Sequence, residues 1–246
     1  MTLSLDQIKK LHQKKYRQQL GYFLVEGEHL VLELHKAIIG NPALAQSQLL
    51  VTQAYADWPS PLPKKIINEK QMAQIADTKT PQGVMAVAPL PEKKANPNQP
   101  AAKAIYLHEI QDPGNLGTIL RSLAWFGGFD CLLSPGCVDP YNPKVVRASM
   151  GAIFHVSLQQ DVELHELTQK YARLACLDMQ GARPSSASFK DCDCYVFGNE
   201  ARGLPAEVKN FSGAERYSIP GSGTIESLNL ATAVNICLYE LVREKP

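Results

Sequence analysis

An α/β chain in two units is what this sequence predicts, and three observations carry that expectation. Short apolar runs of strand character alternate with amphipathic stretches of helical period along most of the 246 residues. A polar, proline-rich stretch at 89–103, PLPEKKANPNQPAAK, interrupts the alternation and reads as an exposed linker. Beyond it the alternation becomes regular, which βαβ units around a mostly parallel sheet require. A boundary therefore falls near residue 95, with a first domain over 1–90, a linker over 91–103 and a second domain over 104–246.

In the first domain Ser4 and Gln7 form a capping box for a helix running to about Gln19, with Leu5, Ile8 and Leu11 on one face. FLVEG (23–27) is a short strand, followed by an amphipathic helix over 28–38. LLVT (49–52), KKII (64–67) and VMAVA (84–88) are further strands, with a helix at 69–76. In the second domain the strands are 104–107, 131–134, 173–179 and 194–198, and the helices 115–127, 162–171 and 226–243. Ligands are expected beyond the carboxyl ends of such strands.

Composition narrows the class. At 45% hydrophobic and 20% charged the chain is that of a globular protein, not a disordered one. No apolar run approaches the roughly 20 residues that cross a bilayer. The polar, basic N-terminus lacks the apolar segment of a secretory signal, so a cytoplasmic protein away from membranes is expected. Six cysteines in this length make no disulfide framework. Cys131, Cys137, Cys176 and Cys237 have apolar neighbours and read as core residues. Cys192 and Cys194 form a C-x-C without a second pair to complete a zinc site, so no metal is expected. Net charge is only +1, yet the first 20 residues hold Lys9, Lys10, Lys14, Lys15 and Arg17 against Asp6 alone. That helix suits phosphate contacts as well as it suits a merely solvated face.

Three segments place glycine, asparagine or charge where a strand gives way to a helix. In LHEIQDPGNLGTILRSLAWFGG (107–128), Asp112-Pro113-Gly114 makes a turn and Asn115 is the expected helix cap. Leu116, Ile119, Leu120 and Leu123 form the apolar stripe, and Arg121 lies about 130° from its centre. Arg121 is either an ordinary surface residue or one that reaches the strand-end crevice. In CYVFGNEARGLP (194–205) a strand ends in Gly198, which permits close backbone approach, with Glu200 and Gly203 following. This is a strand-turn that lacks the G-x-G-x-x-G dinucleotide fingerprint. In YSIPGSGTIESLNLATAVNICLYELVRE (217–244) a glycine-rich loop without the Gly-Lys-Ser/Thr ending precedes a helix. Ser227 and Asn229 stand at its start, either capping it or holding a ligand.

Together and in this order the segments resemble the three motifs of SpoU-like (TrmH-type) RNA ribose 2′-O-methyltransferases of the SPOUT superfamily. The first is Asn115-Leu-Gly117-Thr-Ile-Leu-Arg121, the second Phe197-Gly198-Asn199-Glu200-Ala-Arg-Gly203-Leu204, and the third Ile219-Pro220 followed by Ser227-Leu228-Asn229. RASMGAIFHVSL (147–158) is similar to the family's region between its first two motifs. KKYRQQLGYFLVEG and TPQGVMAV resemble the small ribosomal-protein-like RNA-binding domain that precedes many such catalytic domains.

The resemblance implies a trefoil-knotted second domain, a homodimer, S-adenosylmethionine as methyl donor and structured RNA as substrate, ribosomal favoured over transfer RNA. It implies Arg121, Asn115, Glu200 and Asn229 as catalytic-site residues. It implies Phe197, Gly198, Asn199, Ile219, Ser227 and Leu228 as donor-binding residues. Two rivals stand beside it: a non-catalytic RNA-binding or ribosome-assembly factor on the same scaffold, and a nicotinamide-dependent oxidoreductase, against which the missing glycine fingerprint speaks.

Overall fold

The computed structural model describes residues 3–91 and 103–244, so most of the expected linker, 92–102, lies outside the described residues. In chain order the first elements are α1 (Leu5–Lys10), α2 (Lys14–Leu20), β1 (Tyr22–Glu26), α3 (Glu28–Ala37), β2 (Gln48–Val51), β3 (Lys64–Ile66), α4 (Glu69–Ile75) and β4 (Val84–Pro89). There follow β5 (Lys103–Leu107), α5 (Pro113–Phe126), β6 (Phe129–Leu133), α6 (Pro143–Ala148), β7 (Ser157–Gln159), α7 (Leu164–Lys170) and β8 (Leu174–Ala182). The last are α8 (Ala187–Lys190), β9 (Cys194–Phe197), α9 (Ala206–Lys209), β10 (Ala214–Tyr217) and α10 (Leu230–Val242).

The chain divides into two units, and the N-terminal one also holds Asp139–His155. That segment lies inside the span 104–246 read from sequence as one domain. The first unit's sheet has the order β1-β4-β2-β3, with β4 antiparallel to β1 and β2, and β3 parallel to β2. Strand alternation sends Leu24, Leu50, Met85 and Val87 into one core with Ile8, Leu11, Met72 and Ile75. Phe23, the neighbour of Leu24, meets Tyr141 and Phe154 instead, with ring centroids 5.0 and 6.4 Å away.

The single helix expected to run to about Gln19 is two. The Ser4–Gln7 capping box is present, but the chain breaks after Lys10. Side-chain bonds hold the break: the His12 ring meets the Ile75 carbonyl at 2.8 Å, and Arg17 Nη1 donates to the Leu11 carbonyl at 2.7 Å. Arg17 also pairs with Asp139, its Nε donating to Oδ2 at 2.9 Å, and only 2% of its side chain is exposed. Arg17 is therefore not a surface cation of the basic helix; it ties 139–155 into this unit. Truncating either partner would strand a buried charge.

In the second unit the described strands form one sheet of order β10-β8-β9-β5-β6-β7, and every pairing is parallel. β7 and β10 are absent from the sequence reading because each is short and edge-lying, with a burial pattern no periodicity marks. One face packs Tyr106, Leu132, Cys176 and Val196 against Leu167 of α7 and Val208 of α9. α5 lies against β6 and α10. All the loops that carry motif residues leave the same carboxyl edge of this sheet.

Candidate active site

Proline at the first position and Asp112 before it begin α5: Asp112 Oδ1 accepts from the Asn115 amide at 2.7 Å. The cap is thus Asp112, not Asn115, and the correction matters because it frees the Asn115 side chain. Its Nδ2 donates to Glu200 Oε1 at 3.4 Å, and its Oδ1 accepts from Asn229 Nδ2 at 2.8 Å. Asn229 is the cap of α10, its Oδ1 accepting from the Thr232 amide at 3.2 Å, so Ser227 lies outside the helix and does not cap it. Glu200 also receives the Gln111 and Asp112 amides at 3.4 and 3.5 Å, a carboxylate at the positive end of α5. One half-buried asparagine therefore joins the three motifs.

Gly198 follows β9 at a point where a side chain has no room. A Cβ there would lie 2.2 Å from the Gly203 carbonyl carbon and 2.4 Å from the Leu204 nitrogen. Asn199 and Gly203 exchange backbone bonds of 3.0 and 2.9 Å, closing the loop on itself, and Gly203 takes a φ of +69° that favours glycine. The Asn199 side chain is consumed internally: Oδ1 accepts from the Ala201 and Arg202 amides at 3.0 Å each, and Nδ2 donates to the Glu109 carbonyl at 2.7 Å. The Phe197 ring is buried, and its carbonyl accepts from the His108 amide at 2.9 Å. Neither side chain is free to meet a ligand.

In the third motif Ile219 is half-buried and 220–229 are exposed, with Leu228 at 45%. The segment starts from a tight junction. The Ser218 amide donates to the Ala182 carbonyl at 2.8 Å, and a Cβ on Gly181 would lie 2.3 Å from the Arg216 oxygen. Arg121 is exposed on α5 in line with Thr118 and Trp125. Among the described residues it makes no hydrogen bond or ion pair, and it is not part of the Asn115 cluster.

A cleft of about 730 Å³ opens behind the 199–205 loop, beside His108, Glu163 and His165, and touches none of Ile219, Ser227 or Leu228. Burial pushes the thiols of Cys131, Cys137, Cys192 and Cys194 up, and that of Cys237 to about 12, so none is a ready nucleophile. Among the described residues no three His, Cys, Asp or Glu side chains are grouped to hold a metal ion.

Sequence reading passed over Asp112, Gln111, Glu109 and Arg202. The Asp-Pro-Gly sequence was the available signal for the first. The others are recognised only through partners up to 93 positions away.

A parallel α/β sheet whose carboxyl edge gathers a glycine loop and an amide cluster is where α/β proteins bind small ligands. Residues 102–239 match the SpoU rRNA Methylase family and residues 4–86 the MRM3-like substrate binding domain. The chain belongs to the SpoU rRNA methylase family. The Bacillus subtilis 23S rRNA (guanosine(2553)-2′-O)-methyltransferase RlmP is 31% identical to it, over 95% of this chain and 93% of its own length. A TrmH-family structure from Porphyromonas gingivalis is 31% identical with a TM-score of 0.82, covering 100% of both chains. The AdoMet-bound rRNA methyltransferase of Sinorhizobium meliloti is 25% identical with a TM-score of 0.81, over 98% of this chain and 95% of its own.

Proposed function

We propose that this protein transfers the methyl group of S-adenosylmethionine to a ribose 2′-hydroxyl of ribosomal RNA. The observation that carries the reading is the junction at Asn115, where all three motifs meet at the carboxyl edge of the parallel sheet. When bound, the donor would supply a methyl carbon activated by sulfonium sulfur, with the neutral thioether as leaving group. The backbone at Gly198, Ile219 and Leu228 would hold it, with Ser227 and Asn229 at the junction with substrate. Asn199 and Phe197 serve this site by shaping the backbone. Asn115 and Glu200 fix the approach of the two reactants, the main task in a displacement that needs no covalent enzyme intermediate.

A guanidinium donates hydrogen bonds and does not act as a general base, so the role of Arg121 is electrostatic. It binds the neighbouring phosphate and stabilises charge developing on the 2′-oxygen as the hydroxyl proton departs to another acceptor. The reading extends to a homodimer, and α5 and α10 present Trp125 (84% exposed) and Tyr239 (56%) for such an association. The same reading includes a trefoil knot in the C-terminal segment.

Incubation with tritium-labelled donor and total RNA tests the activity. Label in ribosomal RNA, recovered as a 2′-O-methyl nucleoside, is expected. Donor binding without transfer to any RNA would favour the non-catalytic binding factor, and label in transfer RNA alone would change the substrate.

The basic corner of the N-terminal unit gives a second expected result. Lys9, Lys10, Lys14 and Lys15 are all exposed, and the ammonium groups of Lys10 and Lys15 lie 5.5 and 6.0 Å from the Tyr16 ring centroid. Reversing Lys14 and Lys15 to Glu should weaken RNA binding and flatten its slope against log salt by roughly one to two. An unchanged slope would return these lysines to a solvated face.

A further inference from the structure

The turn that carries the chain from β5 into α5 rests on a residue that no motif includes. Glu109 has a φ of 48°, one of three non-glycine residues with positive φ among those described. In that conformation the Cβ crowds the following carbonyl, and a side chain persists there only where the surroundings hold it. Four contacts do so. The Glu109 amide donates to Ser134 Oγ at 2.7 Å, and its carbonyl accepts from Asn199 Nδ2 at 2.7 Å and Gln111 Nε2 at 3.1 Å. Its carboxylate accepts from Arg202 Nη2.

Two of those partners, Asn199 and Arg202, belong to the Gly198–Gly203 loop, and Glu200 between them receives the Gln111 and Asp112 amides. Three side chains of one loop thus grip one turn. The left-handed step at Glu109 directs those two amides at Glu200 and brings Asn115 within its reach.

We propose that Glu109 is a positioning residue for the donor site: its left-handed backbone and its pairing with Arg202 set the Gly198–Gly203 loop. The inference rests on the reading of that loop as the donor cradle. It acts through main-chain direction, so substitutions sort by tolerance of positive φ rather than by charge. Glycine and asparagine accept the conformation, whereas β-branched valine resists it.

Calorimetric titration of the full chain with S-adenosylmethionine tests this, with thermal unfolding and RNA affinity measured on the same variants. Glu109→Gly and Glu109→Asn should weaken donor binding by no more than about fivefold, the share of an exposed ion pair. Arg202→Met should match them, and the Glu109→Gly/Arg202→Met double variant should be no weaker than either single one. Glu109→Val should weaken donor binding about tenfold or more while RNA affinity holds. Should the valine variant fail to fold, Glu109→Ala against Glu109→Asn makes the comparison, with alanine the weaker binder. A valine or alanine variant that binds donor like wild type, whatever its melting temperature, overturns the inference alone. Wild-type protein that binds no donor overturns the functional reading and this inference with it.

Discussion

Replacing Arg121 with alanine is expected to slow methyl transfer about 100- to 1000-fold, the loss typical when one donor to a developing anion is removed. The effect is confined to the rate because of what Arg121 lacks. It is exposed on α5 and, among the described residues, has no intramolecular partner, so its removal breaks no structural bond. Melting temperature and donor affinity should therefore stay near wild type while the rate of a single turnover collapses. Arg121→Lys keeps the charge but loses the planar, two-pronged guanidinium. It should recover part of the rate; full recovery would refute a need for the fork, and an unimpaired alanine variant would remove Arg121 from the chemistry altogether.

Gly198→Ala carries the second large effect, and here binding and stability fall together. The added carbon would lie 2.2–2.4 Å from backbone atoms of Gly203 and Leu204, which cannot swing aside as the end of a long side chain can. Relief requires opening the loop, which breaks the Asn199–Gly203 pair and moves Asn199 and Glu200 off their partners in 109–115. Overpacking of this kind costs about 1–3 kcal/mol, which corresponds to a melting temperature lower by roughly 2–12 °C. Donor affinity should drop by up to about 100-fold if the full strain falls on the bound state. Gly221→Ala is the matched control for melting, since a Cβ there meets nothing within 4 Å. A Gly198→Ala protein with wild-type melting and donor affinity would show that the loop yields easily and is no rigid cradle.

Asn115 is a good capping residue by type, yet Asp112 caps α5; at α10, where capping and ligand binding were both open for Ser227, Asn229 is the cap. Local preference does not choose between two candidates three positions apart when a distant partner competes for one of them. Asn115 is drawn off by Glu200, 85 positions away, and by Asn229, 114 away. Arg17 was counted with its neighbouring lysines because charge is additive along a sequence; Asp139, 122 positions on, removes it from the surface. Cys131, Cys176 and Cys237, by contrast, are buried as their apolar neighbours suggest.

The alternation of strands and helices and the order of the three motifs are legible in the sequence, because each is written in local periodicity, turn chemistry or residue spacing. Only the tertiary structure decided that Asp139–His155 belongs with the N-terminal unit, that Asn115 links all three motifs, and that Glu109 and Arg202 brace the second of them. The physical reason is the range of the interactions. Propensity and amphipathic period act over a few residues, whereas a buried ion pair, an amide bridge or a strained turn depends on which distant groups the fold brings within about 3 Å.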